Sequence, residues 1–452
     1  MQNFSSKRLR VAICGAGIGG LTLAVALAQY PDIDIELYEA ANSLTELGAG
    51  IGLFPRPWKI IQMLGLEDDL LMTTERKPRQ GPVPAFNYRK SDQQAGFTFS
   101  TLVTNGTLIT LHRADFQAVL LKRLPRTCRV NCSKRLRTYT QRESGTIELI
   151  FEDNSRTFCD VLVGADGLKS ATRATFLTER ANWMGSRGRI HEAADVASCI
   201  DPVWSGTVAY RALIPGDRLS AAAPGHSVLT SPTQYLGKNG YIIAYPISHG
   251  KMINFVAFVC RHDLENTKFD GPWTGPCDKS QFAGVFAHWE PEVHALIHCI
   301  DKCLRWAIHT MKPLRSFVSG NTVLIGDAAH AMTPHQGSGA GQAIEDAYIL
   351  ATVLGHRTTS RETVPRALRV FDEIRRPLAT GVVEASRMNG RFFSLEEDGG
   401  IGFDQYTGPQ LWEKLQKLHS AVVQNWEWTW TTSVDGSIQE ALRRLEGHDC
   451  KY

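Results

Sequence analysis

The order of apolar and polar positions divides the chain into segments of two textures. Leu9 to Cys14 is a short apolar strand, Leu21 to Gln29 reads as a helix, and Ile33 to Tyr38 is a second strand closed by Glu39. Val161 to Val163 and Thr322 to Ile325 read as further buried strands, and Gln342 to Leu354 as a long helix. The middle of the chain differs. Thr207 to Ile214, Tyr241 to Ile247 and Met252 to Cys260 alternate or run apolar and are rich in β-branched and aromatic residues, with Pro215-Gly216 and Ser248-His-Gly250 as turns. The pattern predicts an α/β lobe assembled from 1–75, 105–185 and 306–390, an antiparallel sheet lobe from 76–104 and 186–305, and a helical, Trp-rich tail over 391–452.

Composition narrows the class. A chain of 452 residues, 43% hydrophobic and 21% charged, buries a large core and is long enough for two or three lobes. A formal net charge of +3 without a Lys/Arg-rich block argues against nucleic acid as a partner. Ten cysteines include no CxxC pair; Cys128/Cys132 and Cys299/Cys303 share a CxxxC spacing without a His-rich segment, so no metal is expected. Val11 to Ala28 is uncharged for 18 residues, but Gly15, Gly17, Gly19 and Gly20 divide it into strand and helix. With no signal-cleavage pattern, the expectation is a soluble, reduced, cytoplasmic protein, monomer or homodimer, with no membrane partner.

The glycines that interrupt this run carry chemistry. In Gly15-Ala-Gly17-Ile-Gly-Gly20, Gly15 permits the turn, Gly17 lets a pyrophosphate approach the backbone, and Gly20 lets helix and strand pack closely. The helix start then offers unpaired N–H groups to phosphate. Glu39 lies 19 residues beyond Gly20, where a carboxylate accepts hydrogen bonds from ribose hydroxyls. The unit binds FAD or NAD. Two later strands each run into a further motif, Gly164-Ala-Asp166-Gly167 and Gly326-Asp327-Ala-Ala-His330, and a fourth segment reads Leu111-His112-Arg113-Ala-Asp115-Phe116. After Asp327 comes a glycine-rich loop, Pro334 to Gly341, opening the long helix. Its backbone N–H groups, at Gly339 and Ala340, suit a flat ring, and the helix start suits a reduced flavin's negative charge.

These four motifs in this order resemble the single-component flavoprotein aromatic hydroxylases, most closely their salicylate hydroxylase branch, from about Leu9 to about Pro377. The resemblance implies a para-hydroxybenzoate hydroxylase-like fold: a Rossmann-type FAD lobe with an antiparallel sheet roofing the substrate. It implies that Asp327 binds the ribityl chain, that Arg113 lies near the ribityl–phosphate region, and that Asp166 serves both FAD and the nicotinamide donor. It also implies NADH or NADPH as reductant, O2 as co-substrate, and hydroxylation of a phenolic or salicylate-like ring through a flavin C4a-hydroperoxide, with decarboxylation in the salicylate branch.

On the predicted sheet, period-2 geometry puts Thr207, Ala209, Arg211 and Leu213 on one face, and Tyr241, Ile243 and Tyr245 on one face of the next strand. A guanidinium among apolar neighbours needs an anion, either a substrate group or a structural acid. Arg211 and Tyr241 are therefore the candidate catalytic residues, and Tyr245 and Pro334 join them as candidate pocket residues. Tyr241 stands where bacterial salicylate hydroxylases carry histidine, and Phe54-Pro55-Arg56-Pro57 departs from a common Pro-Asn pair; nothing in the sequence says what Arg56 contacts. A flavin disulfide reductase would need a cysteine pair soon after Glu39, yet none lies between Cys14 and Cys128. The tail's Trp426-Glu-Trp428-Thr-Trp430 lacks the Ile-Pro of a halogenase segment and reads as packing. Oxidation of an indole or alkene on the same fold stays open, because such enzymes differ in the pocket.

Overall fold

The three strands that precede the first, second and third motifs lie side by side. In the computed structural model, which describes residues 7–44, 50–74, 77–396 and 403–447, they form the middle of a six-stranded sheet. The strand order is Val318–Ser319, Thr322–Leu324, Val161–Gly164, Leu9–Cys14, Ile33–Tyr38 and Arg129–Asn131, parallel throughout except for the first pair. Helix Ile18–Leu27 is buried along nearly its whole length, which is why it carries no polar stripe, and it packs on helix Gly339–Gly355. The uncharged run Val11 to Ala28 is thus strand, turn and core helix. Among the described residues no helix is long and apolar enough to cross a membrane.

The second sheet has eight strands, ordered Thr274–Cys277, Cys303–Thr310, Val203–Pro215, Met252–Cys260, Gly240–Ile247, Thr233–Gly237, Pro82–Lys90 and Phe97–Asn105. All pairs are antiparallel except Thr233–Gly237 with Pro82–Lys90. The turn read at Ser248-His-Gly250 joins two of these strands with three successive positive φ angles, 51°, 56° and 79°. Pro215-Gly216 behaves differently: Gly216 opens helix Gly216–Ala222, which covers the sheet's outer face with Leu219.

Helix Ile190–Ala197 packs on helix Ala171–Gly185 and puts Val196 into the core of the parallel lobe, so the antiparallel lobe starts at Val203 rather than near 186. Helix Gly408–Trp426 lays Leu415, Leu418 and Val422 on the inner face of the eight-stranded sheet. Helix Asp435–Leu445 then returns Ala441 and Leu445 to the parallel lobe's core. Trp426 and Trp430 are buried against Phe54, at 5.4 and 5.7 Å between ring centroids, as packing residues. Residues 397–402 and 448–452 of the tail lie outside the described residues.

Candidate flavin and substrate site

Each central strand of the parallel sheet ends in one motif loop, so the three loops converge at one edge, the usual ligand edge of such sheets. Gly15 has φ +106°, and a methyl added there would sit 2.1 Å from the Ala165 carbonyl oxygen of the neighbouring loop. A methyl at Gly20 would sit 2.0 Å from the Gly15 carbonyl oxygen. Both positions admit only glycine. At Gly17, the N-cap of helix Ile18–Leu27, an added methyl meets nothing within 4 Å, and no side chain caps the helix. An open backbone edge beside uncapped N–H groups suits a pyrophosphate. Glu39 accepts hydrogen bonds from the Ala16 and Ala41 N–H groups, both at 2.8 Å, which ties the second strand's end to the turn. A carboxylate has about four acceptor positions, so capacity for ribose hydroxyls remains. Gln117, which the sequence reading passed over, is buried with its amide 3.4 Å from the Ala16 carbonyl.

The second loop is largely self-contained. The Asp166 carboxylate accepts from the Ser170 hydroxyl and, at 2.9 Å each, from the Thr172 N–H and hydroxyl, fixing the start of helix Ala171–Gly185. Arg173, 1% exposed, donates to the carbonyls of Leu168, Ala328 and Ile200 at 2.5, 3.0 and 3.2 Å. Burial lowers its pKa while Asp166, Asp201 and Asp327 oppose that shift. Arg173 therefore laces the second loop to the third, where Gly326 turns at φ +58° and presents Asp327. Asp327 is exposed while Gly326, Ala328, Ala329 and His330 around it are buried. Its carboxylate has no hydrogen-bond or ion-pair partner among the described residues, which leaves its acceptor positions available. Arg113 is exposed at the first position of helix Arg113–Arg123, just after the strand in which His112 pairs with Gly50.

Behind the glycine-rich loop lies a buried charge network. Gly339 and Ala340 start helix Gly339–Gly355, whose N-cap Ser338 makes no side-chain cap, and Pro334 is exposed at the head of a short 3-10 turn. One turn on, Glu345 and Asp346 are 1% and 0% exposed. Arg375 binds Glu345 at 3.0 Å and Asp346 at 2.8 Å, His330 binds Asp346 at 2.5 Å, and the Gly326 N–H donates to Asp346 at 2.9 Å. Burial alone would raise the Asp346 carboxyl; the charges of His330 and Arg375 outweigh it and hold it at about 2. Arg56 supplies the contact the sequence could not name. Its guanidinium grips Glu345 with two bonds of 3.0 Å and holds the tail through the Thr432 hydroxyl at 2.8 Å and the Ser433 carbonyl at 2.7 Å. Trp428 of the tail, Phe54 and Gln342 then line a narrow crevice along the loop.

Strand register assembles the substrate-side residues. Tyr241, Phe258 and Ala209 form one row across the inner face, Ile243, Val256 and Arg211 the next, and Tyr245, Asn254 and Leu213 the third. The Tyr245 hydroxyl lies 3.8 Å from the methyl position of Gly50. Arg211 is half-buried, beside Val256 and Leu304, and no structural acid or other hydrogen-bond partner meets it among the described residues. Tyr241 is the most enclosed of these residues. Its ring is 2% exposed and stacks on Phe258 at 4.5 Å, and its hydroxyl is engaged 2.6 Å from the His335 Nδ1 rather than held open to a substrate. Burial pushes the Tyr241 hydroxyl well above its usual range and the His335 imidazole down to about 3, both shifts favouring the neutral forms. His335 belongs to the Pro334–Gln336 turn, so this contact joins the sheet face to the glycine-rich loop.

The fit for FAD rests on the open edge at Gly17, the unpartnered Asp327 carboxylate and the uncapped start of the Gly339 helix. Comparison with known proteins agrees. The model of a family described as FAD binding domain matches residues 8–219 and 291–386. A FAD-dependent monooxygenase of Strobilurus tenacellus is 34% identical over 448 residues, 93% of this chain and 95% of the relative. A salicylate hydroxylase of Pseudomonas putida is 32% identical over 443 residues, 97% of this chain and 95% of the relative. A solved salicylate hydroxylase substrate complex superposes with a TM-score of 0.79 at 30% identity, covering 97% of this chain and 98% of its own. The chain therefore belongs to the FAD binding domain family of flavin-dependent monooxygenases, enzymes that take electrons from NAD(P)H and oxygen from O2.

Proposed function

We propose that this enzyme hydroxylates a small aromatic ring bearing an acidic group, a phenol or a salicylate-like acid. The observation that carries the reading is Arg211: a guanidinium without a hydrogen-bond or ion-pair partner among the described residues, on an apolar sheet face, one row from Tyr241, which reaches the glycine-rich loop through His335. A carboxylate or phenolate in that position would satisfy the guanidinium with a charge-assisted hydrogen bond. The relatives point the same way: beside the salicylate hydroxylases, a 6-methylsalicylate 1-monooxygenase of Aspergillus terreus is 32% identical over 97% of this chain.

When bound, FAD supplies the hydride acceptor and the site at which O2 is activated for transfer to the ring. The chain's own residues do the rest. The Gly17 edge and the helix start hold the pyrophosphate, Glu39 the ribose, and Asp327 the ribityl chain. Arg113 stands near the ribityl–phosphate region, and the N–H groups of Gly339 and Ala340 favour negative charge on the ring. Arg211 orients the substrate, Tyr245 and Pro334 border its pocket, and the apolar rows around them exclude water. Tyr241 works through His335 as a positioning residue. The test is NADH and NADPH oxidation across phenols, salicylates and indoles, with oxygen uptake recorded and products identified by mass. Coupled hydroxylation of an acidic ring is expected. Productive turnover only with indoles or alkenes that lack an acidic group would overturn the reading.

A further inference from the structure

Cysteine spacing pairs Cys299 with Cys303, but the fold pairs Cys303 with a different thiol. Strand Thr274–Cys277 is the outermost of the eight-stranded sheet, and its Cys277 is the direct antiparallel partner of Cys303. The two sulfurs lie 2.9 Å apart, whereas Cys299 turns its own sulfur to the Arg218 carbonyl at 4.0 Å. Closing the gap to a bond of ~2.05 Å needs a movement below ~1 Å. The thiols are not equivalent. Cys303 is 4% exposed, and burial together with Cys277 pushes its thiol up to about 12. Cys277 is half-buried at the end of an edge strand, where local opening costs least.

We propose that Cys277 and Cys303 are a peroxide-sensitive thiol pair that closes to a cross-strand disulfide. The oxidant is hydrogen peroxide, which this class of enzyme releases when NAD(P)H and O2 are consumed without substrate hydroxylation. The Cys277 thiolate attacks one peroxide oxygen; an S–O bond forms, the O–O bond breaks, and hydroxide leaves to take up a proton. The Cys303 sulfur, losing its proton, then attacks the Cys277 sulfur; the S–S bond forms, the S–O bond breaks, and water leaves. The sum is two thiols and one peroxide giving one disulfide and two waters. Both sulfurs belong to the outer face of the sheet, packed with Phe282 and Val293, while Arg211 lies on the inner face. The bridge therefore fastens the edge strand without entering the substrate pocket.

The test uses reduced holoenzyme in two arms, one given hydrogen peroxide and one given NAD(P)H and O2 without an aromatic substrate, each with and without catalase. After alkylation, non-reducing peptide mapping should find the segments around residues 277 and 303 linked, with a loss of ~2 Da, in both arms and in neither once catalase is present. Cys303→Ser should leave Cys277 as a sulfenic acid that dimedone traps. Free alkylation of both thiols after added peroxide, or a link from either cysteine to a third, would overturn the proposal. Linkage by added peroxide but not by turnover would overturn uncoupled turnover as the source of the oxidant and leave the thiol pair's chemistry standing. The added-peroxide arm does not depend on which substrate the enzyme takes.

Discussion

The two halves of the site are built on different logic. In the dinucleotide half, the constraint is backbone on backbone: Gly15 and Gly20 are required by the Ala165 and Gly15 carbonyls, 2.1 and 2.0 Å from their missing methyls, and each loop continues its own strand. In the substrate half and the network behind the loop, most side chains act through partners distant in the sequence, Arg211 being the exception among the described residues. Tyr241 needs His335, 94 positions later, and Arg56 needs Glu345, 289 positions later. The first half tolerates no side chain at Gly15 or Gly20. The second relies on contacts such as Tyr241–His335 whose partners lie far apart in the sequence.

The strongest way to break the comparison is at the glycines. Gly15→Ala is expected to lose both fold and flavin, because it combines a positive φ with a backbone clash that cannot relax. Gly17→Ala should separate the two effects. Its methyl meets no protein atom, so the apo-protein should melt as wild type while FAD binding weakens by about 1.5–3 kcal/mol, the scale of a charge-assisted hydrogen bond lost to phosphate. Melting temperature beside fluorescence titration of apo-protein reads both. A Gly17→Ala protein with wild-type FAD affinity would remove the pyrophosphate from that edge.

Next in size is the buried network. Arg375→Met leaves Glu345 and Asp346 deep in the protein with one fewer counter-charge, a loss of about 3–5 kcal/mol measured by denaturant unfolding. The network also sets an acid limit. The Asp346 carboxyl is depressed in the folded state, so its contribution is fully present above the ordinary carboxyl range and is lost as pH falls toward about 2. Asp346→Asn should be less stable at neutral pH and lose less stability on acidification than wild type. An equal acid slope in both proteins would assign the titration elsewhere.

These contrasts explain what the sequence could disclose. The glycine motifs were legible because each directly follows its own strand at a fixed spacing, although the clash that requires Gly15 comes from Ala165 of a neighbouring loop, and the strands Leu9–Cys14, Ile33–Tyr38 and Met252–Cys260 were legible from periodicity alone. The row shared by Arg211 and Tyr245's strand followed from period 2, once each strand was read correctly. The Arg56, Arg375 and Tyr241 contacts were not legible, since no local pattern says which distant partner a long side chain will meet. One signal was available: adjacent Glu345 and Asp346 inside an otherwise apolar helix require buried cations. The tail's role was hidden for the same reason, its helices being amphipathic on faces whose partners lie in both lobes.

A smaller effect is expected at Arg211. Because its guanidinium has no partner among the described residues, Arg211→Ala should leave melting temperature and FAD content unchanged. It should raise KM for an acidic aromatic substrate by about 10- to 100-fold, the equivalent of one charge-assisted hydrogen bond, with kcat less affected. Steady-state kinetics with a neutral analogue as control checks this. Equal losses for acidic and neutral rings would mean that Arg211 shapes the pocket without reading its charge.

The smallest effect, and the one that joins the halves, is at Tyr241. Removing its hydroxyl leaves the His335 Nδ1 buried without a partner, at a cost of about 1–2 kcal/mol. His335 sits in the turn that leads into the glycine-rich loop, so loosening it should also raise the fraction of NAD(P)H that ends as hydrogen peroxide rather than product. If Tyr241 acts through His335, Tyr241→Phe and His335→Ala should each show both changes, and the double variant should be no worse than the poorer single one. If Tyr241 instead touches the substrate directly, the peroxide yields should add while the stability losses do not. A double-mutant cycle on peroxide yield, run beside one on melting temperature, distinguishes the two. Non-additivity in both is the expected outcome, because the 2.6 Å contact with His335 is the one hydrogen bond that the buried Tyr241 hydroxyl makes among the described residues.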